Sequence, residues 1–235
     1  MKLLFGLFQS SLGKKFIMAG TGGGLFLFVV AHLAGNLQVF LGPEVINRYG
    51  HFLQSNLEII WPARIGLLLM VGLHVWSAIR LSAENKAARP IGYEDEPTPV
   101  AASYASRTML MSGLIIAAFI IYHLLHFTVQ ARAVNFVANP ETRDFTLLTD
   151  VQGRHDVQRM MVVGFQVPLV SGFYILAIGL LCLHLSHGMS AMFQSLGLTT
   201  PAYKPVIEKL ARLVAWAIFL GYASIPIAVL AGVVK

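Results

Sequence analysis

The chain has 235 residues, of which 56% are apolar and only 12% are Asp, Glu, Lys or Arg, about half the charged fraction of an ordinary soluble domain. A mean hydropathy of +0.69 agrees, and together these values exclude a water-soluble globular enzyme. The length suits roughly five membrane spans with their connectors. A net charge of +6 would point to nucleic acid in a soluble protein. In a membrane protein it reflects Lys and Arg holding loops on the cytoplasmic side, so no nucleic-acid partner is expected. The single cysteine, Cys182, excludes an intrachain disulfide and any cysteine-rich zinc or iron–sulphur site, and no C-x-x-C-H haem-attachment motif is present.

Charge-free runs locate the spans, because ionised side chains are costly in hydrocarbon. The opening segment, Met1 to Ser11, reads as a short amphipathic stretch and not as a cleaved signal. Five helices are predicted, over 16–41, 62–82, 107–131, 163–190 and 208–233, in one all-α membrane domain spanning 1–235. Pro62 suits the first turn of the second helix, where a missing N–H leaves nothing unpaired. The fourth is expected to leave the membrane around Met189 to Leu196, and Pro226 to kink the fifth. Lys and Arg divide ten to seven between the two sides, which places the amino terminus in the cytoplasm.

Six of the eight histidines fall in these helices: His32, His74, His123, His126, His184 and His187. An intramembrane polar side chain is a functional candidate by default, although one histidine in a span often only bonds a neighbouring helix. Four helices carrying histidines are harder to explain that way. His32 lies 17 residues after Lys15 and His123 lies 16 after Arg107, both about 25 Å from the cytoplasmic entry at 1.5 Å per residue. His74, about 9 Å before Arg80, and His184 belong to the opposite half. Two facing histidines at each of two levels is the ligand set that two stacked bis-imidazole haems require. His126 and His187 lie one turn beyond, and spacing alone leaves open which member of each pair binds iron. Glycines, among them Gly22 and Gly24 in the first helix and Gly179 in the fourth, would let backbones or a flat macrocycle approach closely. A zinc site or metal transporter fits less well, because no intramembrane carboxylate joins the histidines.

These residues resemble the membrane-anchor cytochrome b subunit of succinate:quinone and fumarate:quinone oxidoreductases, in its single-chain, five-helix, two-haem form. The likeness runs from about Lys14 to the last helix. It rests on F-V-V-A-H-L-A-G-N-L-Q around His32, Y-G-H-F-L-Q around His51, L-H-V-W around His74, Y-H-L-L-H-F-T around His123, and the segment Gly172 to Gly197. It implies that His32 and His123 ligate an outer haem b and His74 and His184 an inner one, favouring His123 over His126 and His184 over His187. It further implies a flavoprotein with FAD and an iron–sulphur subunit on the cytoplasmic face. Electrons would pass from succinate through both haems to a membrane quinone, with menaquinone expected over ubiquinone. A bacterial or archaeal cytoplasmic membrane, contact with its lipid, and room for an oligomer of the whole complex complete that picture.

Where relatives often carry a serine-bearing motif, Ala19, Gly20 and Thr21 stand here. Lys15, Arg64 and Arg107 are therefore the candidates for the inner haem's propionates, each equally suited to be an interfacial anchor. A quinone pocket needs a titratable group near water; Glu58, before the second helix, is the first candidate and His51 the next. The rival readings are a two-haem cytochrome b of another complex, such as a nitrate reductase or hydrogenase, and a haem-free scaffold or transporter. The former families tend to place two ligands on one helix, unlike the distribution here.

Overall fold

The computed structural model describes residues 2–88 and 108–235, with side chains from residue 6 onward. It is all-helical apart from turns and a lone bridge between Thr149 and His155. Helix α1 (Lys2–Gln9) leads into α2 (Ser11–Asn36), which starts where the Ser10 hydroxyl accepts the Gly13 N–H and satisfies an otherwise unpaired first-turn donor. A 3₁₀ turn (Leu37–Leu41) carries α2 into α3 (Pro43–Ser55), followed by α4 (Leu57–Ala87). Then come α5 (Met109–His123), a π-helical turn (Leu124–Thr128), α6 (Val157–Phe165), α7 (Pro168–Ser195) and α8 (Lys204–Leu230).

Five of these helical stretches are long and apolar enough to cross a membrane: Ser11–Leu41, Leu57–Ala87, Met109–Thr128, Pro168–Ser195 and Lys204–Leu230. Their outward faces expose Leu27, Leu68, Met111, Leu176 and Leu220, a surface that hydrocarbon covers at no cost and water does not. The chain is a multi-pass membrane protein in that sense.

Helix α2 packs on α4 and α7, and α5 packs on the same two, so the order around the bundle is α2, α4, α5, α7. Helices α2 and α5 therefore face one another diagonally, as do α4 and α7. Helix α8 lies outside this ring, along α7 and α2. At the end away from α1, helix α3, the 129–156 loop and α6 form a cap. A hydrophobic core lies beneath it, where Val39, Ile46, Met161, Phe165, Val170, Tyr174 and Ile225 are all buried. Buried Asn47 ties the cap together, bonding Asp156 at 3.1 Å and accepting the Gln158 N–H at 3.0 Å. Arg154 bridges Glu44 (2.6 Å) and Asp150 (2.7 Å), and Arg132 pairs with Asp144.

Several expected bounds shift. The fourth span begins at Pro168 and not 163, because Val167 is extended and proline, lacking an N–H, suits a first turn. The preceding apolar residues instead form α6, capped by the Asp156 side chain on the Arg159 N–H. Helix α7 runs on through Met189 to Ser195. Helix α4 starts at Leu57, which leaves Pro62 inside it rather than in the opening turn. The third span ends at Thr128.

Candidate functional site

The four helices of the ring each bring one histidine to the bundle axis. His74 on α4 and His184 on α7 have ring centroids 6.2 Å apart, with planes inclined at 65°. His32 on α2 and His123 on α5 lie 5.8 Å apart, nearly perpendicular at 80°. Both couples join diagonal helices, and they are the same couples that depth along the helices assigns from sequence. Gly22 abuts His74 and Gly113 abuts His184, where an added Cβ would lie 3.2 and 3.3 Å from the ring Cε1 atoms. Each glycine precedes the histidine of the other level on its own helix by ten residues, Gly22 to His32 and Gly113 to His123. Two independent helices thus separate the levels by about 15 Å.

The second ring nitrogen of each histidine decides what the first can do. His74 Nδ1 lies 3.2 Å from the Met18 carbonyl and 3.3 Å from the Thr21 hydroxyl. That hydroxyl already donates to the Ile17 carbonyl at 2.7 Å, so His74 Nδ1–H is the donor and Nε2 keeps its lone pair, the arrangement of a ligating imidazole. Tyr174, buried on α7, sets its hydroxyl 3.3 Å from His123 Nδ1 and 3.0 Å from His126 Nδ1. A single hydroxyl proton can serve only one of these rings. If the tyrosine donates to the nearer His126, His123 Nδ1–H donates to the tyrosine oxygen and its Nε2 keeps a lone pair.

These rings fit a group with two axial positions. Two metal–nitrogen bonds of about 2 Å and the half-widths of two imidazoles span about 6 Å, close to both observed separations. His184 Nδ1 and Ser77 Oγ at the inner level are buried without a hydrogen-bond partner, and so is His126 Nε2; orphaned buried polar atoms of this kind are compatible with a bound group. His126 instead lies fully buried among Phe127, Phe145 and Tyr122. His187 lies one turn beyond His184, half-buried. Among the described residues no group of three or more His, Cys, Asp or Glu side chains is placed to hold a metal ion.

A cavity of about 220 Å³ opens beside His32, and Tyr49, Gln54, Arg64, Gln130 and His155 contribute its polar lining. Arg64 therefore stands at the outer level and not with the inner couple, ten residues before His74 on α4 and so about 15 Å away. Lys15 is exposed at the far end of α2. Its neighbour Lys14 is buried and paired with Glu84 at 2.7 Å. Arg107 lies outside the described residues. Glu58 and His51 are both exposed and neither lines the cavity; helix α3 turns Gly50, Leu53 and Gln54 toward it and leaves His51 against Ser55. Burial holds the His155 imidazole below its ordinary range, against the opposing pull of a hydrogen bond to the Leu148 carbonyl, and keeps it neutral near pH 7. Gln130, His155 and Tyr174 carry no sequence signal of their own; the Gly-x9-His spacing shared by α2 and α5 is the one pattern that could have marked the lining of the inner level. A larger hollow of about 650 Å³, bordered by Asn139, Arg159, Gln166 and Lys235, lies on the cap.

The sequence matches no protein-family model, no curated protein and no solved structure.

Proposed function

We propose that this chain is the two-haem cytochrome b anchor of a succinate:quinone oxidoreductase, seated in a bacterial or archaeal cytoplasmic membrane with its amino terminus inside. The observation that carries this reading is the pair of opposed histidine couples, His74–His184 and His32–His123, on diagonal helices at two depths. His74 and His184 would hold one haem b and His32 and His123 the other, and the group so held would supply one-electron transfer. The residues of this chain do the rest. Met18 and Thr21 orient His74, Tyr174 orients His123, and Gly22 and Gly113 leave the inner level unobstructed. Arg64 suits a propionate of the outer haem, and Lys15 lies at the inner end. The succinate chemistry belongs to a flavoprotein carrying FAD, and its electrons arrive through an iron–sulphur subunit on the cytoplasmic face, since the single cysteine of this chain, Cys182, cannot hold a cluster. Menaquinone is the acceptor this reading favours; run in reverse, the same parts serve fumarate reduction.

The test is a pyridine haemochrome assay on the purified chain together with identification of what co-purifies. Close to two haems b per chain, with a flavin-bearing and an iron–sulphur protein, is the expected result. One haem, none, or a different partner set would overturn the reading.

A further inference from the structure

We propose that the hollow on the cap binds the head group of a zwitterionic phospholipid, phosphatidylethanolamine, with its ammonium on Gln158 and Asp156 and its phosphate on Arg159. None of these residues belongs to the histidine couples, and the site requires only that the chain crosses a membrane.

Position along the chain sets its depth. The charged groups of the wall, Asp156 and Arg159, stand at the start of α6, and Val162, Val163 and Val167 follow toward its end. Val167 directly precedes the fourth span, which opens at Pro168. That span exposes Leu169, Phe173 and Leu176, which share one helical face. The hollow therefore lies where head groups meet hydrocarbon, with an apolar track beneath it for acyl chains. Its volume of about 650 Å³ falls within the roughly 300–1,000 Å³ of small-molecule pockets, enough for a head group whose tails stay outside.

The lining selects the head group. Gln158 is only 7% exposed. Its Nε2 donates to the Lys235 carbonyl at 3.3 Å, which fixes the orientation of the amide and leaves Oε1 buried without a donor. An amide oxygen so placed is costly unless something supplies one. Asp156 accepts from Asn47 at 3.1 Å and from the Arg159 N–H at 2.9 Å, both on Oδ1, so Oδ2 can accept as well. The Arg159 side chain is exposed, and its guanidinium has no ion pair among the described residues. Two acceptors and one free cation in a single hollow match a ligand that carries an N–H-bearing cation close to an anion. Phosphoethanolamine has that form. Phosphocholine carries the same charges, but its quaternary nitrogen has no N–H to give. Phosphoglycerol brings a negative charge to Asp156 with no cation of its own.

The test titrates the purified chain in detergent with dioleoyl phosphatidylethanolamine, phosphatidylcholine and phosphatidylglycerol, reading bound lipid by native mass spectrometry and the fold by thermal midpoint. One saturable lipid per chain is expected, with an apparent Kd about tenfold lower for the ethanolamine form than for the choline form, as a hydrogen bond to a buried acceptor would give. Arg159→Gln keeps the backbone N–H that Asp156 caps, so the fold should persist while all three lipids bind more weakly. Gln158→Met has no amide and should erase the preference for ethanolamine over choline. Equal affinity for those two lipids in the wild type, tighter binding of phosphatidylglycerol, or wild-type binding by Arg159→Gln would overturn the proposal. Uptake that never saturates, the mark of annular lipid alone, would overturn it too. The Arg159→Gln arm decides whether or not Gln158→Met folds.

Discussion

A histidine in a bundle offers two nitrogens, and its usefulness to a metal depends on what occupies the other one. His74 Nδ1–H is held by Met18 and Thr21, and His123 Nδ1 lies within hydrogen-bond reach of the Tyr174 hydroxyl. Tyr174→Phe should therefore leave both haems in place while loosening the outer one, with affinity falling about 10–100-fold, as is usual on losing such an orienting partner. Haem retention on dilution and a potentiometric titration would check it: only the outer component should move. Replacements of the histidines themselves should act by level. His74→Ala or His184→Ala should remove the inner haem, and His32→Ala or His123→Ala the outer, whereas His126→Leu and His187→Leu should keep both; difference spectra of the assembled variants decide. These couples were legible in the sequence because helical rise is rigid, so residue counting from a charged boundary fixes depth. The partners were not. Gln130 and His155 come together through an irregular 25-residue connection, and Tyr174 reaches His123 from another helix. Neither meeting has a periodicity to count.

At the level of single elements, an ion pair between Lys14 and Glu84 pins the inner end of the bundle. Lys14 is only 2% exposed and meets Glu84, on α4, at 2.7 Å; Ser11 donates to the same carboxylate at 3.0 Å. Lys14→Met would remove the partner of Glu84 and should lower the thermal midpoint, by less than the loss of a fully buried pair because Glu84 is one-third exposed. The double variant Lys14→Met, Glu84→Met should recover much of that loss, since an apolar pair has no charge to solvate. Thermal midpoints in detergent would show both effects. The spans themselves were readable from charge-free length, down to their number. The cap helices were not: α3 is short and polar on average, and α6 is apolar enough to pass for the start of the next span. Only Pro168 breaks that run, and a proline is compatible with either a kink or a boundary.

Considered as one molecule, the protein couples a lipid-facing ring to a polar cap. The Arg154 hydrogen bond holds Glu44 below its ordinary value of 4.5, and Asp150 is likewise lowered because its bonds to Arg154 and to backbone N–H groups outweigh burial. A carboxylate depressed in the folded state stabilises it above the unfolded pKa and loses that effect as pH falls. The cap should thus be fully stable at neutral pH and weaken as pH drops through about 4.5 and below. Arg154→Gln should weaken it at neutral pH and flatten the acid dependence. Limited proteolysis of the 129–156 loop across pH 3 to 7 would report both.

The diagonal pairing also dictates an order of events. The couples join residues 32 with 123 and 74 with 184, so along the chain they interleave, neither nested nor side by side. A nascent chain emerging from its amino terminus would complete the outer couple only with its third span and the inner one only with its fourth. A cut anywhere between residues 74 and 123 would leave one member of each couple on either fragment. No contiguous fragment that ends before residue 184 could form both couples, so the inner level would close last, after the outer one was already complete.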